Sequence, residues 1–160
     1  MSQLIKVGIS DLNIARSPDA LVTFALGSCI GICLYDRVTK VAGLSHIMLP
    51  NNTNRDPKQA YRFADTAIAI LVQKMTAAGA DKRRLTAKIA GGARMFTAIS
   101  NNALASIGQR NIEAVRKELS RLGIPIIADD TGKDFGRTVY FYAEDGSMHV
   151  KSASKGEWVL

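Results

Sequence analysis

Cysteine and histidine are scarce in this chain: Cys29, Cys33, His46 and His149 are all it has in 160 residues. Two cysteines so close together cannot build a disulfide framework. Cys-x-x-x-Cys is also not the redox Cys-x-x-Cys spacing. A structural zinc site takes four ligands, and the two cysteines and two histidines make four on paper. Their spacing matches no common zinc pattern, so no metal is expected. Long apolar runs are missing too. The longest, Ala67 to Val72, stops at Gln73 and Lys74, well short of the roughly 20 residues of a membrane span. The opening Met1-Ser2-Gln3-Leu4-Ile5-Lys6 lacks the charged-then-apolar layout of a signal peptide, which makes the cytoplasm the expected compartment. Aromatic residues are only 6% of the chain. None is interleaved with the basic groups Lys82-Arg83-Arg84 or Arg110, Arg116, Lys117 and Arg121. Base stacking has no platform there, and nucleic acid is not an expected partner. The net charge of +7 then suits a solvated basic surface, or one that steers an acidic protein partner.

What is present is the composition of one globular domain with a real core, and residues 1–160 are read as that single domain. Gln3 to Ile9 alternates, with Ile5, Val7 and Ile9 on one face, as a strand does. Asp11 to Ala15 continues it after a kink. Leu21 to Leu26 reads as a buried strand. Ile30 to Tyr35 and Val41 to Leu49 form a hairpin around Asp36-Arg37-Val38-Thr39-Lys40. Asp56-Pro57 looks like an N-cap and first helical residue. A helix over Tyr61 to Ala78 carries Phe63, Ala67, Ile70, Leu71 and Met75 on one stripe, and Gly79 ends it. Leu85 to Ala90 is a strand running into Gly91-Gly92. From Thr97 to Ser106 small and amide residues suggest a loop or short helix. A second helix runs from Gly108 or Asn111 to Leu122, striped by Ile112, Val115, Leu119 and Leu122. Ile124 to Ala128 is a strand, and Val139 to Tyr142 with Met148 to Lys151 makes a last hairpin. The class is α+β: a mixed or antiparallel, sandwich-like sheet core with two longer flanking helices.

One pair of residues stands out chemically. Cys29 closes a small-residue turn, Gly27-Ser28-Cys29, at the end of a strand. Gly27 and Ser28 let the backbone approach whatever docks there, and such a turn can aim successive N–H groups at one point, an oxyanion hole in outline. His46 lies in the next strand but one. An imidazole beside a thiol supplies general-base and then general-acid chemistry and lowers the thiol pKa. A free cysteine is more often a small buried hydrophobe; Cys33, between Ile32 and Leu34, reads that way. His149, beside Lys151 in the last hairpin, reads as exposed. A third group should orient the imidazole, and Thr23, Ser28 and Ser45 are all candidates. Gly91-Gly92-Ala93-Arg94 lacks a phosphate-cradle pattern. It is either a tight turn beside another element or a substrate-facing turn. Gly108-Gln109-Arg110-Asn111 is either a polar helix start or a docking patch. Asp129 and Asp130 are adjacent, so on a strand they point to opposite faces and cannot share an acid's role.

Longer motifs surround these residues. Leu26-Gly27-Ser28-Cys29-Ile30-Gly31-Ile32-Cys33-Leu34-Tyr35-Asp36 is followed by Ala42-Gly43-Leu44-Ser45-His46-Ile47-Met48-Leu49-Pro50. Later come Lys88-Ile89-Ala90-Gly91-Gly92-Ala93-Arg94-Met95-Phe96, Ile107-Gly108-Gln109-Arg110-Asn111, Leu122-Gly123-Ile124-Pro125-Ile126 and Phe135-Gly136-Arg137-Thr138-Val139. Together they resemble the chemoreceptor glutamine deamidase family, CheD. The resemblance implies Cys29 as nucleophile, His46 as base and Thr23 as the third catalytic residue. It implies hydrolysis of glutamine side-chain amides on methyl-accepting chemotaxis receptors, with a CheC-type CheY-phosphate phosphatase as a further partner in some members. It implies no cofactor, and a fold similar to cysteine hydrolases such as the cytotoxic necrotizing factor deamidase domain. Gly27, Ser28, Gly91, Gly92, Arg110 and Asn111 are the candidate substrate-binding residues. The competing class is a non-catalytic adaptor that binds receptor or CheC without turnover, with Cys29 as core.

Overall fold

A computed structural model describes residues 2–94 and 107–160. The expected loop or short helix over Thr97 to Ser106 lies outside the described residues. Among those described, ten strands form two five-stranded sheets. One sheet has the order β1 (Leu4–Lys6), β3 (Ala20–Leu26), β8 (Arg137–Tyr142), β9 (Met148–Ser152) and β10 (Gly156–Val159). The other has the order β2 (Asp11–Arg16), β5 (Val41–Ile47), β4 (Ile30–Asp36), β6 (Thr86–Gly91) and β7 (Ile126–Thr131). The β1–β3 and β6–β7 pairs are parallel and the other pairs antiparallel. Both sheets are therefore mixed.

Strand β4 shows how the layers are made. All seven of its residues are buried, as expected for a strand covered on both faces. Ile30, Ile32 and Leu34 join a core with α1 (Ala64–Ala77) and α2 (Ile107–Arg121). Cys33 and Tyr35 join a second core with Leu21, Leu26, Val139 and Phe141 of the opposite sheet. The alternation of a strand thus sends odd positions between the sheets and even positions under the helices. The layers are sheet, sheet, helices.

Several boundaries differ from the sequence expectation. The stretch 3–9 is a strand only over Leu4–Lys6. After Val7 the chain leaves one sheet for the other through Ser10, whose φ is +57°. Ile9 is left 54% exposed there, and Asp11–Arg16 belongs to the other sheet rather than prolonging the first strand. Asp56 does cap, accepting from the Lys58 N–H at 2.9 Å. It caps a short 3-10 helix, Pro57–Arg62, and α1 starts only after an extended Phe63. The helix buries Ala64, Ala67, Ile68, Leu71, Val72 and Met75, so Ile68 and Val72 replace Phe63 and Ile70 in the stripe. Strand β10 was not foreseen, because Gly156-Glu157-Trp158-Val159 has no apolar alternation. His149 is half-buried rather than exposed, packed edge-on against Tyr142 with ring centroids 4.6 Å apart. Asp129 and Asp130 do diverge: Asp129 pairs with Arg116 on α2, Asp130 with Arg137 and Trp158.

In the basic cluster Lys82-Arg83-Arg84, Lys82 and Arg83 are exposed and Arg84 is half-buried. Arg83 pairs with Asp81, and Arg84 grips the buried Asp36.

Candidate active site

Register places the two reactive residues. Gly31 of β4 lies directly opposite His46 of β5, and Ile30 opposite Ile47. Cys29 falls two residues before Gly31 on the same inter-sheet face, and it packs against the inter-sheet core. It is therefore a diagonal neighbour of His46, a relation that sets backbones roughly 7–8 Å apart in antiparallel pairs. Gly31 lets the Leu26 and Thr23 side chains of β3 pack close against β4 at this point. A Cβ there would meet Leu26 Cδ1 at 3.2 Å and Thr23 Cγ2 at 3.6 Å. A glycine inside a strand marks such a close approach; that signal was present in the sequence, and the sequence reading missed it.

Cys33 is the other diagonal neighbour of His46, and burial separates the two thiols. Cys33 is 1% exposed, whereas Cys29 is half-buried on the open Gly27-Ser28-Cys29 bend. Only Cys29 can meet a macromolecular substrate. Burial raises the thiol pKa of both. The expected lowering of Cys29 by a neighbouring imidazole is not seen, because His46 Nε2 makes no hydrogen bond to it.

The third residue is selected by a hydrogen bond. Thr23 Oγ1 lies 2.7 Å from His46 Nδ1 and 2.7 Å from the Val7 carbonyl oxygen. A carbonyl only accepts, so the single hydroxyl proton goes to Val7. The hydroxyl must then accept from Nδ1–H. This fixes the tautomer with the lone pair on Nε2, an atom that is buried and unpartnered among the described residues. Burial also holds the imidazole well below its usual range, at about 4, so it is neutral at pH 7. Ser45 is excluded as the orienting group, since it neighbours His46 in β5 and faces the helices. The Val7 carbonyl had no sequence signal at all.

The turn carrying Cys29 is braced by its neighbours. Between Thr23 and Leu26 the β3–β8 register slips, and Ala25 takes φ +61°, a bulge that redirects the strand end. The Gly92 N–H donates to the Cys29 carbonyl at 2.8 Å, and the Ala93 N–H to the Gly27 carbonyl at 2.8 Å. Gly91 has φ +111°, and a Cβ on it would stand 2.2 Å from the Cys29 carbonyl oxygen. Gly91 and Gly92 are thus buried supports for the Cys29 turn. They do not form a surface facing a substrate. Asn111 is likewise 0% exposed: its Nδ2 donates to the carbonyls of Ser28 and Met48, both at 2.9 Å. Arg110, by contrast, is exposed and lines a shallow cleft with Pro50, Asn51 and Lys117. Among the described residues no group of His, Cys, Asp and Glu is placed to hold a metal, and no helix is long and apolar enough to cross a membrane.

The fold thus brings together a half-buried thiol, a buried neutral imidazole whose Nδ1 faces Thr23, and a turn braced by backbone hydrogen bonds. A family model described as CheD chemotactic sensory transduction matches residues 48–152. The chain belongs to the CheD family. A Caldanaerobacter subterraneus protein named probable chemoreceptor glutamine deamidase CheD is 48% identical over 156 residues, 97% of this chain and 96% of that protein. A Halalkalibacterium halodurans protein named chemoreceptor glutamine deamidase CheD is 46% identical over 159 residues, 98% of each. A Clostridium botulinum protein named probable chemoreceptor glutamine deamidase CheD is 51% identical over 153 residues, 95% of this chain and 94% of that protein. The family match begins after His46. The alignments with these CheD relatives extend over the Cys29 turn and the β5 histidine as well.

Proposed function

We propose that this chain is a protein-glutamine deamidase acting on methyl-accepting chemotaxis receptors in the cytoplasm, with Cys29 as nucleophile, His46 as acid–base and Thr23 as its orienting partner. The observation that carries the reading is the Thr23–His46 hydrogen bond. It leaves an acceptor lone pair buried in the layer that Cys29 enters.

Both groups rest neutral, so the proton moves during attack. His46 Nε2 takes the Cys29 proton as sulfur attacks the carboxamide carbon of a glutamine. The carbonyl π electrons pass to oxygen, and the N–H groups of Ser28 and Cys29 receive the oxyanion. Such donors are worth about 2.7–4 kcal/mol each in related sites. The tetrahedral intermediate collapses, the C–N bond breaks, and the imidazolium protonates the leaving amine to ammonia. A γ-glutamyl thioester remains. Water, deprotonated by the same Nε2, attacks it; the C–S bond breaks and the proton returns to sulfur. The product is a glutamate side chain that can then be methylated.

Incubating a receptor cytoplasmic fragment with the enzyme should raise the mass of a glutamine-containing peptide by about one unit, with ammonia released, since an amide NH2 is replaced by a hydroxyl in this thioester route. No shift with wild-type protein would overturn the reading and favour the adaptor. A CheC-type phosphatase is the second partner of this reading and competes for the receptor-binding face. Added CheC should slow deamidation without modifying Cys29.

A further inference from the structure

Asn111 is a fully buried side chain on α2 whose amide donates to the backbone of the turn that bears the Cys29 thiol. We infer that Asn111 is a positioning residue for the oxyanion: by binding the Ser28 carbonyl it aims the Cys29 N–H into the site. This rests on the deamidase reading above and deepens it.

The geometry follows from one peptide plane. The carbonyl of Ser28 and the N–H of Cys29 belong to the same trans peptide, so they point in opposite directions. Asn111 Nδ2 draws the Ser28 carbonyl toward α2 at 2.9 Å. The Cys29 N–H is thereby turned away from α2. The neighbouring amides are already occupied: Gly27 donates to Ala25, Gly92 to Cys29 and Ala93 to Gly27. None of those turn bonds uses the amide of Ser28 or of Cys29, and the Cys29 N–H interacts with its own sulfur. The Cys29 carbonyl is held from the other side by Gly92, so both peptide groups flanking the nucleophile are fixed.

The second proton of Nδ2 goes to the Met48 carbonyl at 2.9 Å, two residues past His46. One amide thus ties the nucleophile turn to the end of the base strand. His46 itself does not depend on that tie, because β5 is laddered on both edges, to β2 and β4. The remaining atom, Oδ1, is buried without a partner among the described residues. A buried acceptor left unpaired is a cost that an apolar side chain would avoid, so the two donor contacts are what Asn111 contributes here.

Alkylation and deamidation separate this role from a structural one. Iodoacetamide reacts at sulfur by displacement and forms no oxyanion; deamidation needs both. In Asn111→Ala, kcat on a purified chemoreceptor cytoplasmic fragment should fall about tenfold to a hundredfold with KM little changed, while the Cys29 alkylation rate stays within about twofold. Asn111→Asp keeps the volume and removes the donors, and should behave alike; thermal melting selects whichever variant is folded. Retention of kcat within about threefold in a folded variant overturns the inference, as does a parallel fall in alkylation and kcat. Loss of folding in both variants also overturns it, in favour of a purely structural side chain. Wild-type protein that releases no ammonia overturns the deamidase reading itself, a result distinct from the others.

Discussion

The two ends of strand β4 treat buried polar groups in opposite ways. At its C-terminal end Asp36 is 0% exposed and fully satisfied. Its carboxylate accepts from Arg84 Nε and a second guanidinium nitrogen at 2.9 Å each, from the Asp81 N–H at 2.8 Å, and from the Val38 N–H at 2.9 Å. These donors, with Arg84 foremost, hold the carboxyl far below its usual range. At the N-terminal end His46 Nε2 is buried with no hydrogen-bond partner among the described residues. Buried polar groups are nearly always paired, and an unpaired one calls for an explanation. Here the saturated end closes the β4–β5 hairpin against the Asp81–Arg84 segment, and the unsaturated end faces the open turn. One strand carries a structural lock at one terminus and the proposed catalytic site at the other.

The comparison breaks most visibly at the nucleophile. Cys29→Ala and Cys29→Ser should each reduce ammonia release to background while the far-ultraviolet circular dichroism and melting curve stay those of the wild type. Full activity in either would transfer the chemistry elsewhere.

His46 comes next, and it also sets a pH window. His46→Ala should lower kcat by about 10²- to 10⁴-fold. The folded imidazole titrates at about 4 against 6.5 when unperturbed, so the unfolded chain binds the extra proton first. Stability is therefore whole above pH 6.5 and falls as pH drops toward 4, by about 3 kcal/mol. Denaturant unfolding across that range should show the slope in wild-type protein and not in His46→Gln. At the other end of β4 the sign is the same but the window is lower. Asp36 contributes stability above its unperturbed value of 3.8 and loses it below. A single continuous loss with no break between the windows would blur the distinction.

Thr23→Val should cost less, about tenfold in kcat, because the imidazole keeps its strand but loses the acceptor that fixes its tautomer. Thr23→Ser should restore most of the rate; failure of serine to rescue would assign Thr23 to packing instead.

Arg84→Ala sharpens the contrast from the structural side. It leaves Asp36 buried without its guanidinium, and should lower the unfolding midpoint while kcat at 25 °C changes by less than about twofold. A large fall in kcat with folding intact would mean the two ends of β4 are coupled.

Much of this was legible in the chain. The β3, β4 and β5 strands, both long helices and the Cys29–His46 pair all stand in local periodicity or in residue scarcity. What was not legible depends on backbone atoms brought together from afar. The Val7 carbonyl that settles the Thr23 proton, the Gly92 and Ala93 amides and the Ser28 carbonyl have no side-chain signature. Asn111 looked like a surface donor because polar residues at a helix start usually are. Its burial arises only when α2 packs over the turn. Phe63 leaves the stripe because it is extended and precedes α1, and Ile70 lies at the edge of the buried face, only partly covered.

The smallest expected effect falls on Cys33, and it tests the whole assignment by its absence. Cys33 shares the inter-sheet face with Cys29 and is the mirror diagonal to His46 across Gly31. Distance along the sheet therefore does not distinguish them, and access must. Burial raises the Cys33 thiol far above its ordinary value, with Lys88 opposing only in part. It makes no ionised nucleophile and meets no solvent. Cys33→Ala should leave kcat within about twofold and cost stability only for the lost sulfur contacts. Iodoacetamide at neutral pH should label Cys29 well before Cys33, read by peptide mass. Equal and slow labelling of both would mean the Cys29 bend is as closed in solution as the strand interior. The thiol at the open end of β4 would then have no route to a glutamine.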